Sequence, residues 1–125
     1  MIYGIGTDIV EISRIRRLID LYNDKFIKRI LSKDEITGSS DKNKYNYLAG
    51  RLAGKEAIIK AMGGRYNLGL RDIEILNDSN GRPFIKNIGR LRDSGGINID
   101  TEIHIHISIS HEREYAIAFA VIEKG

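Results

Sequence analysis

The chain has no cysteine. That excludes disulfides, thiol nucleophiles and thiolate metal sites, and it suits a reducing cytosol. One proline and no low-complexity tract leave no composition for a long disordered linker. No apolar run approaches the ~20 residues of a membrane span. The opening MIYGIGTDIVEI lacks a basic stretch followed by an apolar one, so no secretory leader is expected. Acidic charge is only slightly short: 20 Lys and Arg against 17 Asp and Glu give a net charge of +3 and a pI of about 9.2. So small an excess permits an acidic protein, a nucleic acid or a phosphorylated small molecule as partner, and demands none.

The 125 residues are 42% hydrophobic and 30% charged, the balance of one soluble globular domain over 1–125. Residues 2–11 are apolar and β-branched around Gly4 and Gly6 and read as a strand with a close backbone approach or a bulge. Ser13 is placed to cap a helix over 14–22. A second helical piece follows over 25–31, and Ser32 and Glu35 have capping-box spacing for a third. After a polar loop at 36–44, the strongest helical pattern runs from Tyr45 to Met62 and stops at Gly63 and Gly64. Residues 71–76, the turn NDSNGRP and PFIKNI read as a hairpin. GRLRDSGG is expected to be a short helix or loop. Strands over 101–110 and 115–122 close the chain. Helices mixed with neighbouring antiparallel strands make the class α+β, with an antiparallel sheet packed on a long central helix.

The segment IHIHISISH, residues 103–111, holds all three histidines. Strand alternation puts Ile103, Ile105, Ile107 and Ile109 on one face and His104, His106, Ser108 and Ser110 on the other. A His-x-His pair on a strand can hold zinc, given a third ligand. The ordinary reading of His104 and His106 is a polar sheet face. His111 breaks the alternation at the mouth of a loop, where a phosphate or substrate contact is well placed. Ser110 and His111 point apart, which argues against a nucleophilic dyad. The last strand is apolar on both faces. It is therefore central in its sheet, covered by another subunit, or both.

Asp8 stands where the first strand gives out, and Glu56 lies in the long helix four residues before Lys60. The ordinary readings are a turn for Asp8 and a helix ion pair for Glu56. The functional one is a Mg²⁺ site: two carboxylates with open positions hold this ion beside phosphates. Arg51, Lys55 and Lys60 on the same helix would neutralise phosphate charge, with Arg51 and Lys55 sharing a side.

Three segments in order, GIGTDIVEISRI, YLAGRLAGKEAIIKAMG and ISISHEREYAIAFAVIE, resemble the holo-acyl-carrier-protein synthase family, the small 4′-phosphopantetheinyl transferases. The resemblance implies that family's fold and activity. The phosphopantetheine arm of coenzyme A is transferred to a serine of apo-acyl carrier protein in fatty acid biosynthesis, with Mg²⁺, releasing adenosine 3′,5′-bisphosphate. It places the metal carboxylates at Asp8 and Glu56, the helix lysine at Lys60 and the strand-end histidine at His111. It also implies a cytoplasmic homotrimer with sites between subunits. On this reading Glu56 and Lys60 are catalytic. Glu56 or a water on the metal stands as the base, and Arg51, Lys55, Lys60, Ser110 and His111 contact coenzyme A. Arg14 and Arg17 on the first helix, with Lys25, Lys28 and Arg29 on the next, form a docking surface for an acidic carrier protein. Nucleic acid and membrane are not expected as partners. A basic nucleic-acid-binding module or a structural trimer stands as the rival class.

Overall fold

The computed structural model describes residues 1–39, 44–64, 68–87 and 103–125. In chain order these give strand β1 (Ile2–Glu11), helices α1 (Ile12–Tyr22), α2 (Asp24–Ile30), α3 (Lys33–Thr37) and α4 (Lys44–Ala61), and a 3₁₀ turn at Leu70–Asp72. Strands β2 (Glu74–Asn77), β3 (Pro83–Asn87), β4 (Ile103–His111) and β5 (Tyr115–Lys124) follow. The stretch GRLRDSGG lies outside the described residues.

Strands β1, β5 and β4 form an antiparallel sheet in that order, and β2 and β3 form a separate hairpin. Across the sheet Asp8 pairs with Ala118 and Ala118 with Ile109; the next row on the same face is Val10, Ala116 and His111. This inner face is built from small residues on β1 and β5 and from isoleucines on β4, and α4 crosses it. Gly4 and Gly6 are what allow the crossing. A Cβ at Gly6 would lie 2.0 Å from the Ala57 carbonyl oxygen, and one at Gly4 would lie 1.9 Å from that of Ala61. Backbone meets backbone there, with no side chain to yield. Gly6→Ala is therefore expected to destabilise the fold by about 2–3 kcal/mol or to prevent folding. A urea unfolding midpoint equal to that of the parent chain would contradict it.

The core runs from Ile12, Ile15 and Ile19 of α1 through Leu48, Ala53, Ala57 and Ile58 of α4 to Ala116, Ala118, Ala120 and Ile122 of β5. Helix α4 is enclosed on several sides, by the sheet, by α1 and by the β2–β3 hairpin, so small and apolar residues recur all round it. Gly63 and Gly64, both at positive φ, end it.

Several boundaries differ from the sequence reading. Helix α1 begins at Ile12 with Glu11 as its cap residue, and Ser13 lies inside the first turn, where its Oγ donates to Glu11 Oε1 at 2.6 Å. The Ile12 amide is already satisfied by the Glu114 carbonyl, so a serine cap is not needed one residue later. Helix α3 takes Ile36 and Thr37 from the expected loop, and it carries the Ser32–Glu35 capping box. Strand β2 starts at Glu74 because Leu70–Asp72 close a 3₁₀ turn first. The last strand is both central and apolar on an uncovered face: Ile5, Ile9, Tyr115, Ile117 and Phe119 are exposed on the side away from α4.

Candidate active site

The contact of β1 on α4 brings the acidic pair towards one place. Two residues along β1, from Gly4 to Gly6, move the contact four residues back along the helix, from Ala61 to Ala57. Two strand residues advance ~6.6 Å and four helix residues ~6 Å, so the two steps match. The next inner-face residue, Asp8, continues the step towards the turn that holds Glu56. Lys60 joins them. Its Nζ donates to Asp8 Oδ1 at 3.0 Å and to the Thr7 carbonyl at 3.1 Å. The helix ion pair that the Glu56–Lys60 spacing invites does not form. Glu56 is half-buried and has no hydrogen-bond or ion-pair partner among the described residues. Glu56 shares the side of α4 from which Lys60 reaches Asp8, and two carboxylates with a lysine are a donor set for a hard cation and for phosphate.

Arg51 and Lys60 are nine residues apart, which at 3.6 residues per turn is two and a half turns, so they leave α4 on opposite sides. On the Arg51 side a cavity of about 350 Å³ is lined by Tyr47, Arg51, Asn77, Pro83, Ile109 and His111, among others. Arg51 is 5% exposed. One guanidinium nitrogen donates to Asn77 Oδ1 at 2.9 Å, and the guanidinium carbon lies 4.6 Å from the centre of the Tyr47 ring. Its Nε is buried with no hydrogen-bond partner among the described residues. A buried cation that lines a cavity is suited to an anion. His111 stays within β4 on the isoleucine face and so turns towards Arg51. Ser110 faces the other way, into a hollow of about 300 Å³ on the outer face that it shares with Ile9, Tyr115 and Ile117.

Lys55 corrects the sequence reading. It shares a side with Arg51 as expected, but its ammonium is fully buried and donates to Glu35 Oε1 and to the Ile30 carbonyl. It is not presented to a phosphate. Burial lowers its pKa, and the hydrogen bond to Glu35 opposes that shift. Burial likewise raises the pKa of Tyr47, against the pull of Arg51. Sequence reasoning missed Tyr47 and Asn77 as the neighbours of Arg51, and Glu35 as the buried partner of Lys55. Glu35 showed itself only as a capping-box residue, and Asn77 only as the head of a turn.

Arg14 and Arg17 of α1 and Lys25, Lys28 and Arg29 of α2 are exposed, with no ion-pair partner among the described residues. His106 meets Glu123 at 2.6 Å on the outer sheet face. Among the described residues no group of three His, Cys, Asp or Glu side chains could hold a metal, so His104 and His106 have no third ligand there. No helix among them is long and apolar enough to cross a membrane.

The sequence profile of the 4′-phosphopantetheinyl transferase superfamily matches residues 4–120. The chain is 49% identical to a holo-[acyl-carrier-protein] synthase of Orientia tsutsugamushi, over 98% of this chain and 97% of that one. It is 45% identical to one from a Geobacillus species, over 99% and 98%. The fold superposes on the crystal structure of a holo-(acyl-carrier-protein) synthase from Bacillus anthracis in complex with coenzyme A (3′,5′-ADP). The TM-score is 0.79 at 36% identity, covering 100% of this chain and 99% of that one. On this evidence the chain belongs to the 4′-phosphopantetheinyl transferase superfamily, in its holo-[acyl-carrier-protein] synthase branch.

Proposed function

We propose that the chain, folded as one domain, transfers the 4′-phosphopantetheine group of coenzyme A to a serine of apo-acyl carrier protein. The product besides the holo-carrier is adenosine 3′,5′-bisphosphate. The observation that carries this reading is the pairing of Lys60 with Asp8 on the side of α4 that also presents Glu56, a carboxylate with no partner among the described residues.

The donor set fits magnesium, since Asp8 and Glu56 are hard oxygen donors that leave positions for phosphate oxygens. These two residues would hold the ion, which when bound neutralises charge on the pyrophosphate. The serine hydroxyl forms a bond to the β-phosphorus as the bond from that phosphorus to the bridging oxygen breaks. The electron pair leaves on the nucleotide. Glu56 accepts the serine proton, and Lys60 stabilises the growing negative charge. Arg51 and His111 take the nucleotide end of coenzyme A in the cavity between α4 and the hairpin. That agrees with the ligand named for the Bacillus anthracis protein.

Arg51 and Lys60 leave opposite sides of α4, so one chain does not bring both groups to one small molecule. Together with the exposed apolar sheet face, this favours a homotrimer whose sites lie between neighbouring subunits. The reading carries with it a place in fatty acid biosynthesis in the cytoplasm.

The exposed basic surface of α1 and α2 suits an acidic carrier protein. Arg14→Glu is expected to raise the carrier's KM about tenfold and to leave that of coenzyme A within twofold. Added salt is expected to weaken carrier binding in the parent chain. Steady-state kinetics with each substrate varied in turn checks this. Equal shifts in both KM values would remove the docking assignment.

A further inference from the structure

The buried Glu35–Lys55 pair lies outside the transfer chemistry, yet it is joined to the nucleotide cavity by two separate arms. Glu35 and Lys55 are both fully enclosed. The Glu35 carboxylate is fully used. Oε1 accepts from the Ser32 amide and from Lys55 Nζ, and Oε2 accepts from the Ile75 amide at 3.1 Å. Lys55 also donates to the Ile30 carbonyl. One ion pair thus ties the end of α2, the start of α3, strand β2 and helix α4 together.

The arms run from this node to Arg51. In the first, the Tyr47 hydroxyl donates to the Glu35 carbonyl at 2.9 Å, and the Tyr47 ring lies against the Arg51 guanidinium. In the second, the Ile75 amide held by Glu35 fixes β2, and Asn77, two residues on, takes the Arg51 hydrogen bond. Tyr47 is thus anchored on the Glu35 main-chain carbonyl, and Asn77, through β2, on the Glu35 carboxylate. An arginine side chain left free would spend rotamer entropy on every binding event. A buried ion pair is a costly way to stabilise a core, since well-packed apolar residues of similar volume often do as well or better. What it adds is direction: the carboxylate fixes three donors on three elements.

We infer that Glu35 and Lys55 are positioning residues that hold Arg51 towards the nucleotide cavity, so that they set the affinity for the adenosine-bisphosphate end of coenzyme A rather than the rate of transfer. The inference rests on the proposed transfer reaction.

Removing one partner would leave a lone buried charge, so the test replaces both. Glu35→Leu with Lys55→Met keeps the volume and removes every directed bond of the pair. The thermal midpoint, the KM of each substrate, kcat, and adenosine 3′,5′-bisphosphate binding by calorimetry are measured on the full chain. The expected result is a folded protein with coenzyme A KM and nucleotide Kd raised about tenfold, and with kcat and carrier KM within twofold of the parent. A folded double variant with the parent's coenzyme A KM would overturn the inference, because the pair would then be only structural. If the double variant does not fold, Asn77→Ala decides, since it cuts the arm that runs through the Glu35 carboxylate and leaves the ion pair whole. Coenzyme A KM raised at least about threefold, with carrier KM unchanged, supports the inference; no change overturns it. A parent chain that transfers nothing would instead refute the proposed reaction, and the inference with it.

Discussion

Glu56→Gln is expected to lower kcat by about three orders of magnitude while the fold stays intact. The substitution conserves shape. Glu56 engages no other side chain among the described residues, so the substitution breaks no bond among them. On the proposed reaction, what disappears is one of the two negative charges for the cation and the acceptor for the serine proton. Either loss alone typically costs about a hundredfold or more. The effect should appear in kcat, since the cavity proposed for the nucleotide end is on the other side of α4. Asp8→Asn is expected to be as damaging for a partly different reason. It removes the proposed second ligand for the cation and also the negative charge that pairs with Lys60 at 3.0 Å. A Glu56→Gln chain that keeps more than a tenth of the parent kcat would show that this carboxylate neither binds the metal nor moves the proton.

The second large effect concerns assembly. Phe119→Glu or Ile117→Asp places a charge in the middle of the apolar outer face formed by Ile5, Ile9, Tyr115, Ile117 and Phe119. In the single chain these side chains are exposed, so the substitution costs little within the fold. In an assembly it buries an unpaired charge, which costs several kcal/mol at each interface. The variant is expected to elute as a monomer in size-exclusion chromatography with light scattering, with an unchanged far-UV spectrum. Its transfer activity should fall more than about a hundredfold, because the Asp8 end and the Arg51 end of a site would no longer meet. Mixing offers a stricter form of the same test. Chains carrying Glu56→Gln and chains carrying Arg51→Met should each be nearly inactive, and should regain part of the activity when co-assembled. A monomeric Phe119→Glu chain with full activity would show that each chain holds a whole site.

Much of this architecture could be read from the sequence because the relevant signals are local. Period-two alternation gave β4 and β5, the run from Tyr45 to Met62 gave α4, and Ser32 with Glu35 gave the cap of α3. Asp8, Glu56, Lys60 and His111 stood out through their motifs. What the sequence did not disclose depends on tertiary partners. Lys55 reads as one more exposed cation, since its spacing from Arg51 says that they share a side and not that this side is sealed by α3 and β2. Glu35 has no mark of burial, because its partners lie 20 and 40 residues away. By spacing Lys60 reads as the helix partner of Glu56, and the glycine-permitted approach of β1 to α4 brings it to Asp8 instead. Ser13 has the chemistry of a helix cap, but the Glu114 carbonyl reached the first amide before it was needed.

The most direct test is intact-mass spectrometry of an apo-acyl carrier protein incubated with the assembled chain, coenzyme A and magnesium, beside a sample with excess chelator. The expected result is a gain of one phosphopantetheinyl group per carrier, lost with the chelator and lost again with Glu56→Gln. Carrier proteins of several sources that all keep their apo mass, in the presence of a folded and assembled chain, would contradict the proposed transfer.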